Sequence, residues 1–283
     1  IPAAGFGTRF LPATKAQPKE MLPVVDKPTI QYVVEEAAAS GITDILIIIG
    51  RGKQSIVDHF DRAFQLEQEL EDKNKLKQLK EITDLTNLAT IHYVRQNYLN
   101  GLGDAIRYSR MHIGDEPFVV LLGDTIVDGR LPVTRQLIDA YNETGASIIG
   151  VEEVPREKVE RYGIASVEKP GDDPRLARIV DLVEKPRVTE APSNLAICGR
   201  YVLDPFIFNC IDRVPPGKND EVQLTDAVRL MLEEKDAYAF TIDGTRYDIG
   251  SKLDFLTTTV EFALKREDVG RDFRQYLRAL DLT

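Results

Sequence analysis

The amino-acid sequence predicts an α/β fold built on an open, mostly parallel sheet. Short β-branched segments alternate with segments of helical periodicity through the first half of the chain. With 283 residues, the chain is long enough for one large domain with a substantial core. Such an alternating order places parallel strands side by side through right-handed crossovers, with helices covering the sheet.

The first half contains the clearest predicted strands and helices. Ile30, Val33, Val34 and Ala37 follow helical spacing, so the sequence predicts an amphipathic helix that Gly41 caps at its C-terminus. A longer helix is predicted over residues 53–72, with Ile56, Phe60, Ala63 and Phe64 on one face. Two further helices are predicted in this half: one begins after Leu102, and the other covers residues 132–143. The predicted strands of this half cover residues 1–4, 44–49, 90–95, 117–122 and 146–151.

The second half is less regular in its hydrophobic pattern. A polar turn rich in Pro, Gly and Asp separates two of its strands. We predict strands at residues 163–167, 179–183 and 196–203, and helices at residues 221–234 and 252–266. The charged stretch 67–81 has helical propensity but few apolar residues, which indicates a solvated helix. A lid or a subunit contact is the alternative for that stretch.

Composition and charge exclude several classes of protein. The formal net charge is −10, which argues against nucleic acid or an anionic membrane as the partner. No apolar run approaches 18 residues, so no membrane span is predicted. The two cysteines, Cys198 and Cys210, lie in no metal or redox motif and are expected to be buried and reduced. The sequence opens without a signal peptide, and we expect a cytoplasmic protein.

A glycine-containing loop after the first strand is the strongest chemical signal. Gly5 and Gly7 allow a backbone to approach phosphates closely, and Arg9 and Lys19 add positive charge. The dinucleotide fingerprint is excluded because Phe10 stands where its third glycine is required. A Walker loop is also absent. The segment is therefore predicted to bind phosphates in a different way from either motif.

The segment covering residues 3–23 resembles the sugar nucleotidyltransferases, and within them the bacterial-type UTP–glucose-1-phosphate uridylyltransferases. Its Gly-Phe-Gly-Thr-Arg and Pro-Lys-Glu-Met-Leu-Pro strings are the main points of similarity. Further similar segments occur in order as far as about residue 265. They are residues 26–28, 31–37, 50–53, Gln96, 101–103, 122–124, 183–186, 191–196, 221–226 and 247–252.

This resemblance implies a single domain with the nucleotide-diphospho-sugar transferase fold. Residues 1–125 would form a Rossmann-like nucleotide-binding half and residues 126–250 a sugar-binding half. The remaining residues, 251–283, would be helical and a possible oligomer contact. The implied reaction joins UTP to glucose-1-phosphate, gives UDP-glucose and pyrophosphate, and depends on Mg²⁺. A homodimer or homotetramer is expected, because members of the family are usually oligomeric.

The same resemblance assigns roles to individual residues. Asp124 follows a buried strand, where open α/β sheets place ligands, and a carboxylate there can hold Mg²⁺. Asp248 is the expected second metal ligand. Gln96 is expected to read the uracil edge, because its amide both donates and accepts hydrogen bonds. The predicted catalytic residues are Arg9, Lys19 and Asp124. The predicted nucleotide-binding residues are Ala3, Ala4, Gly5, Gly7, Thr8, Gln96 and Gly101, and the predicted sugar-phosphate-binding residues are Glu184, Lys185 and Asn194.

Two positions depart from the family pattern. Thr125 stands where a second Asp is usual, and Asp104 stands where His is frequent. We expect Thr125 to change the surroundings of the metal site without abolishing it. A thymidylyltransferase using dTTP and a non-catalytic sugar-nucleotide sensor are the alternatives. The three histidines match no catalytic pattern and are predicted to be structural or surface residues; they are His59, His92 and His112.

Overall fold

The protein is described from a computed structural model that covers residues 1–217 and 220–281. Residues 218–219 and 282–283 of the expected domain lie outside that description. The strands are β1 (Pro2–Ala3), β2 (Pro23–Val24), β3 (Lys27–Pro28), β4 (Asp44–Ile49), β5 (Thr90–Arg95), β6 (Phe118–Leu121), β7 (Thr125–Asp128), β8 (Ser147–Glu153), β9 (Gly163–Val167), β10 (Leu176–Glu184), β11 (Leu195–Leu203), β12 (Ala237–Thr241) and β13 (Thr245–Asp248).

Helices alternate with these strands through the first half and cover the sheets in the second. They are α1 (Thr29–Ala39), α2 (Gln54–Phe60), α3 (Phe64–Asp72), α4 (Leu76–Thr86), α5 (Leu102–Arg107), α6 (Arg110–Ile113), α7 (Val133–Thr144), α8 (Ile207–Arg213), α9 (Leu224–Met231), α10 (Lys252–Lys265) and α11 (Gly270–Ala279). The predicted α/β class is confirmed. None of the helices in the described residues is both long and apolar enough to cross a membrane.

The first half forms a three-stranded parallel sheet in the order β1-β4-β5. The β-branched run of β4 is central, and Ile45, Ile47 and Ile48 are at most 4% exposed. Helix α1 packs its predicted apolar face on this sheet, with Ile30 and Val33 fully buried in the same core. Strand β1 is an edge strand of this sheet, so its carboxyl end and the loop after it lie at one edge.

The second half forms a six-stranded mixed sheet in the order β6-β11-β8-β12-β10-β9. Strands β8 and β12 are parallel, and the other neighbouring pairs are antiparallel. Helices α5, α8 and α9 pack in one core cluster on this sheet, and α7 packs in another. The expected parallel strand order is therefore found in the first sheet. In the second sheet, the polar turn between β9 and β10 reverses the chain, and these two strands pair in antiparallel register.

The helix predicted over residues 53–72 is wrong as a single element. It is divided into α2 and α3, because the backbone of Asp61 is extended and its carboxylate accepts a hydrogen bond from the Arg62 amide at 2.8 Å. Such a local bond competes with helix continuation. Phe64, predicted on the buried face, is 63% exposed as a result.

The charged stretch over residues 67–81 is solvent-exposed, as predicted, but is not one helix. It includes parts of α3 and α4, which are separated at residues 73–75, where Asn74 has a φ of 52°. Asn tolerates the left-handed conformation better than most residues, and the chain reverses there. The two helices therefore form an exposed hairpin beside the parallel sheet.

Candidate active site

The loop between β1 and the short 3₁₀ helix at Thr8–Phe10 folds around Lys19. Gly7 has a φ of 66°, and a Cβ added at this position would lie 2.9 Å from the Cβ of Lys19. Thr14 fixes the loop from the other side, since its hydroxyl donates to the Gly7 carbonyl at 2.7 Å. Only glycine therefore satisfies both the backbone conformation and the space at position 7. Gly5 and Thr8 of the predicted phosphate loop are exposed.

Lys19 connects this loop to the turn after β6. Its ammonium group donates a hydrogen bond to the carboxylate of Asp124, and each side chain is about one-quarter exposed. Burial opposes the charged form of Lys19, but the carboxylates of Asp124 and Glu20 raise its pKa above the ordinary value. Burial opposes the charge of Asp124 as well, and Lys19 nevertheless lowers the pKa of Asp124. Both groups are therefore charged near neutral pH.

Asp248 reaches the same place from β13. This strand pairs with β7 in antiparallel register, with Asp248 opposite Thr125, and the Ile249 amide donates to the Asp124 carbonyl at 3.0 Å. The prediction that Asp248 lies at a strand end is confirmed. Burial, and then the negative charge of Asp124, raise the pKa of Asp248. The strand pairing therefore brings the two predicted metal-binding carboxylates near each other, against the repulsion of their charges.

The donor set fits a divalent cation that binds together with phosphates. The described part of the chain holds no group of three or more His, Cys, Asp or Glu that could form a complete metal site. Mg²⁺ usually takes only one or two protein carboxylates and completes its octahedron with water and phosphate oxygens. Asp124 and Asp248 supply that number, so the substrate would have to supply further ligands.

A buried ion pair supports the turn that contains Asp124. Arg200 is fully buried and donates to both carboxylate oxygens of Glu36, at 3.0 and 2.7 Å. The same guanidinium donates to the carbonyl of Thr125 at 2.8 Å. Thr125, the departure from the family pattern, is itself 5% exposed and lies in β7 rather than at the surface of the site. Thr125 is therefore a buried residue that follows Asp124 directly in the chain.

Arg161 and Tyr162 link Asp248 to the predicted sugar-phosphate residues, and no sequence motif pointed to either of them. The Arg161 guanidinium and the Tyr162 hydroxyl each donate to Asp248 Oδ2 at 3.3 Å. The backbone carbonyl of Tyr162 accepts from the Lys185 amide at 3.0 Å. One residue thus connects the carboxylate pair with Lys185, although they are far apart in the sequence.

Glu184 and Lys185 lie at the end of β10. Glu184 Oε2 accepts a hydrogen bond from the Thr225 hydroxyl at 2.7 Å, and the Lys185 ammonium is 2.9 Å from Oε1. Lys185 has a φ of 45°, an uncommon conformation for a non-glycine residue. Asn194, the third predicted sugar residue, precedes β11, and its backbone carbonyl accepts from the Val154 amide at 3.0 Å.

Arg9 approaches the carboxylates from the phosphate loop. Its guanidinium donates to the Gly250 carbonyl at 3.2 Å, two residues beyond Asp248. Ala3 and Ala4, predicted to bind nucleotide, are only 1% and 7% exposed. Their methyl groups belong to the interior, so any contact they make with a nucleotide would have to involve the backbone.

Gln96 and Gly101 lie near the N-terminal end of α5. The Gln96 amide nitrogen donates to Asp104 Oδ2 at 2.9 Å, and both residues are about 95% buried. Asp104, the second departure from the family pattern, therefore fixes the orientation of Gln96. Gly101 has a φ of 99°, and a Cβ there would lie 2.7 Å from the carbonyl oxygen of Val222. The structure thus explains Gly101 by packing against its own chain, and contact with a base stays a prediction.

The fold and the site define an enzyme that transfers phosphate-containing groups. A glycine loop of the α/β sheet lies on one side of Lys19 and a pair of carboxylates lies on the other, as the alignment and neutralisation of phosphates require. Residues 1–264 match the family described as Nucleotidyl transferase, and the chain belongs to this family.

More specific similarities extend over the whole chain. A UTP–glucose-1-phosphate uridylyltransferase of Staphylococcus epidermidis strain RP62A is 50% identical over 282 residues, covering 100% of this chain and 97% of that protein. The UTP-bound UGPase of Acinetobacter baumannii superposes with a TM-score of 0.91 at 39% identity, over 99% of this chain and 98% of that chain. A UDP-glucose pyrophosphorylase complexed with UDP-glucose superposes with a TM-score of 0.86 at 42% identity, over 94% and 97%.

Proposed function

We propose that this protein transfers the uridylyl group of UTP to glucose-1-phosphate, giving UDP-glucose and pyrophosphate. The observation that supports this most directly is the contact between Lys19, which the phosphate loop encloses, and Asp124, which lies beside Asp248. Relatives that match the full chain are named for this reaction. The thymidylyltransferase alternative is not favoured by these relatives.

The chemistry is an in-line displacement at the α-phosphorus of UTP. A phosphate oxygen of glucose-1-phosphate forms the new bond, and the bond from the α-phosphorus to the bridging oxygen breaks as pyrophosphate leaves. The protein needs to align the reactants and neutralise charge, without a covalent intermediate. We assign Lys19 and Arg9 to the phosphates of UTP, since Lys19 contacts Asp124 and Arg9 donates to the Gly250 carbonyl, two residues beyond Asp248.

A divalent cation fits the same place, and we propose Mg²⁺ held by Asp124 and Asp248. When bound, it would neutralise negative charge on the phosphate oxygens. Lys19 keeps Asp124 ionised through its positive charge, because the pKa of Asp124 is lowered by that neighbour despite burial. Asp124 is therefore available as a ligand over the whole neutral range.

The sugar phosphate is assigned to the end of β10. Lys185 is 44% exposed at its side chain and offers a mobile positive charge, which suits a phosphate group. Glu184 accepts hydrogen bonds from sugar hydroxyls in this assignment, and its orientation is fixed by Thr225. Asn194 supplies a further amide. The Tyr162 contact with both Asp248 and Lys185 supports placing this group next to the carboxylate pair.

The uracil base is assigned to Gln96 and the neighbouring Gly101 loop. Asp104 engages one hydrogen of the Gln96 amide, which leaves the second hydrogen and the carbonyl oxygen for a partner. A donor beside an acceptor complements the uracil edge. Together with the sugar assignment, this makes residues 1–125 the nucleotide-binding half and residues 126–250 the sugar-binding half of a single domain that extends over residues 1–283.

Assembly and location complete the proposal. Leu253 and Leu256 on α10 are 69% and 60% exposed, and Tyr276 on α11 is 59% exposed. We infer that this apolar surface mediates a homodimer, or a homotetramer built from dimers.

Both cysteines are free and buried, which suits a reducing compartment, and we place the enzyme in the cytoplasm.

Incubation of the purified protein with UTP, glucose-1-phosphate and MgCl₂ tests the function. We expect pyrophosphate and UDP-glucose in equal amounts, and little product when dTTP or another sugar phosphate is substituted. A sugar-nucleotide sensor would bind ligand without releasing pyrophosphate. Absence of pyrophosphate release with every nucleotide and sugar phosphate would contradict the proposal.

A further inference from the structure

Lys53 is a buried charged residue to which the reaction described above gives no role. Its side chain is 6% exposed, and lysine is rarely buried to this extent unless it is paired. The ammonium group donates to the carbonyl of Gly5 at 2.7 Å and to Glu20 Oε2 at 2.7 Å. A single buried group therefore joins the phosphate loop to the 3₁₀ helix at Lys19–Met21.

Glu20 lies directly behind the residues assigned to catalysis. It follows Lys19 in the sequence, is 1% exposed, and its negative charge acts on the Lys19 ammonium. A Cβ added at Gly123 would lie 3.5 Å from the Glu20 side chain, so Glu20 packs beneath the residue that precedes Asp124. Lys53, Glu20, Lys19 and Asp124 thus form a row in which positive and negative charges alternate.

Lys53 also determines the direction of one carbonyl group in the phosphate loop. Gly5 is exposed, but its carbonyl oxygen is bonded to a lysine that lies in the interior. A carbonyl dipole turned outward would repel phosphate oxygens, whereas backbone N–H groups attract them. The bond from Lys53 therefore keeps an unfavourable group away from the bound triphosphate.

The segment before Lys53 is in close contact with the same loop. A Cβ at Gly50 would lie 2.7 Å from the carbonyl oxygen of Ala4, which leaves no space for a larger residue. The backbone of Gly50 thus lies against the loop, and Lys53 donates to the Gly5 carbonyl from the start of α2. The contacts of Lys53 with Gly5 and Glu20 are therefore buried within the fold and do not form a surface ion pair.

We propose that Lys53 and Glu20 are positioning residues, which hold the Gly5 carbonyl inward and Lys19 in place so that the loop receives the phosphates of UTP. Neither residue contacts a substrate in this arrangement. The inference rests on the proposed function for the identity of the nucleotide.

The test compares K53M and the double variant K53M/E20M with the wild-type enzyme. Loss of Lys53 alone removes the ammonium group that bonds to the buried Glu20 carboxylate, so K53M should be clearly less stable to urea. Replacing both members by apolar residues of similar volume should restore most of the stability. The Gly5 carbonyl remains without its donor in both variants, and UTP affinity measured by calorimetry should fall about 10-fold in each. KM for glucose-1-phosphate should change little.

K235M is the matched control. Lys235 also donates to a carboxylate at 2.7 Å, that of Asp204, which follows β11 at the opposite end of the sheet from Asp124. We expect its UTP affinity to equal that of the wild-type enzyme. A stable double variant with wild-type UTP affinity would overturn the positioning role. If the wild-type enzyme itself bound no UTP, the proposed function would fail, and the two failures are therefore distinguishable.

Discussion

A hydrogen bond joins Lys19, which lies between β1 and β2, to Asp124, which lies between β6 and β7. The contact unites the most recognisable motif in the sequence with a carboxylate about one hundred positions later. It keeps both groups charged, because the carboxylate raises the pKa of Lys19 and the ammonium group lowers that of Asp124, in each case against the effect of burial. The first prediction follows from this pair.

Asp124→Asn should reduce turnover on the order of 10²–10³-fold, as is typical for losing one preorganised charge-stabilising group. The amide is similar in shape but cannot replace the charge, so the fold should persist. Steady-state rates across a Mg²⁺ titration measure the effect. Asp128→Asn is the control, since Asp128 lies at the far end of β7 and pairs with Lys265 at the surface. Near-wild-type turnover for Asp124→Asn would remove this residue from the metal site.

Asp248→Asn should stabilise the protein against unfolding while lowering its activity. Burial and the charge of Asp124 raise the pKa of Asp248 above the ordinary value of 3.8, so the folded state binds a proton more tightly than the unfolded state. Stability is therefore lost as the pH rises from 3.8 through the raised pKa. The neutral amide avoids that loss. Thermal unfolding in metal-free buffer should show a higher Tm for the variant at pH 7, and a smaller difference as the pH falls below 3.8.

An equal Tm difference at all pH values would show that packing, and not the carboxylate charge, is responsible. Arg161 and Tyr162 provide an internal comparison, because both donate to Asp248. Tyr162→Phe removes one of these donors and leaves the charge, so it should not reproduce the pH-dependent gain in stability.

Lys185→Ala should impair the use of glucose-1-phosphate more than the binding of UTP. The ammonium group lies beside Glu184 at the end of β10, and Tyr162 connects Lys185 with Asp248 of the carboxylate pair. Losing a hydrogen bond to a charged group typically costs about 1.5–3 kcal/mol, which corresponds to an increase in KM of at least about 10-fold. Kinetics in both substrates and calorimetry with UTP measure the two effects.

Lys169→Ala is the control for this variant, because Lys169 is an exposed residue in the turn before β10, at the opposite end from Glu184. Equal losses of UTP binding and glucose-1-phosphate use would assign Lys185 to the nucleotide site or to the fold.

Parts of the fold that depend on local hydrophobic pattern were predictable. Strands β4, β5 and β9 have the predicted boundaries, because each is a short run of β-branched and apolar residues. The two-stranded antiparallel sheet of β7 and β13 was not predicted. Its four-residue strands carry polar residues and pair across more than one hundred positions, which no local pattern reveals.

The same limit applies to the site. Gly7 and Lys19 could be identified because a loop motif places them close together in the sequence. Lys53 and Thr225 lie in segments that resemble the family, but their contacts could not be predicted, because each bonds to a residue distant in the chain. Tyr162, which also contacts a distant residue, lies in no such segment. Gly101 was predicted to contact the base; the structure adds a second reason for glycine there, close packing against Val222 that the sequence did not indicate.

The C-terminal helices have two different apolar surfaces. Phe255 and Phe262 of α10 pack on Phe10 and Tyr247 within the same chain. Leu253 and Leu256 of the same helix face outward and are more than half exposed. The intramolecular contact of α10 therefore leaves Leu253 and Leu256 uncovered.

We expect a homodimer or homotetramer because this outward surface is apolar, and Tyr276 of α11 is also exposed, at 59%. L253E/L256E should weaken association by placing charges in the contact, and removal of residues 270–283 should weaken it while leaving the active-site residues in place. L131E is the control, because Leu131 is 48% exposed in the turn before α7. Light scattering at micromolar concentration measures the mass of each protein. A monomer mass for the intact protein would refute the prediction, whatever the variants show.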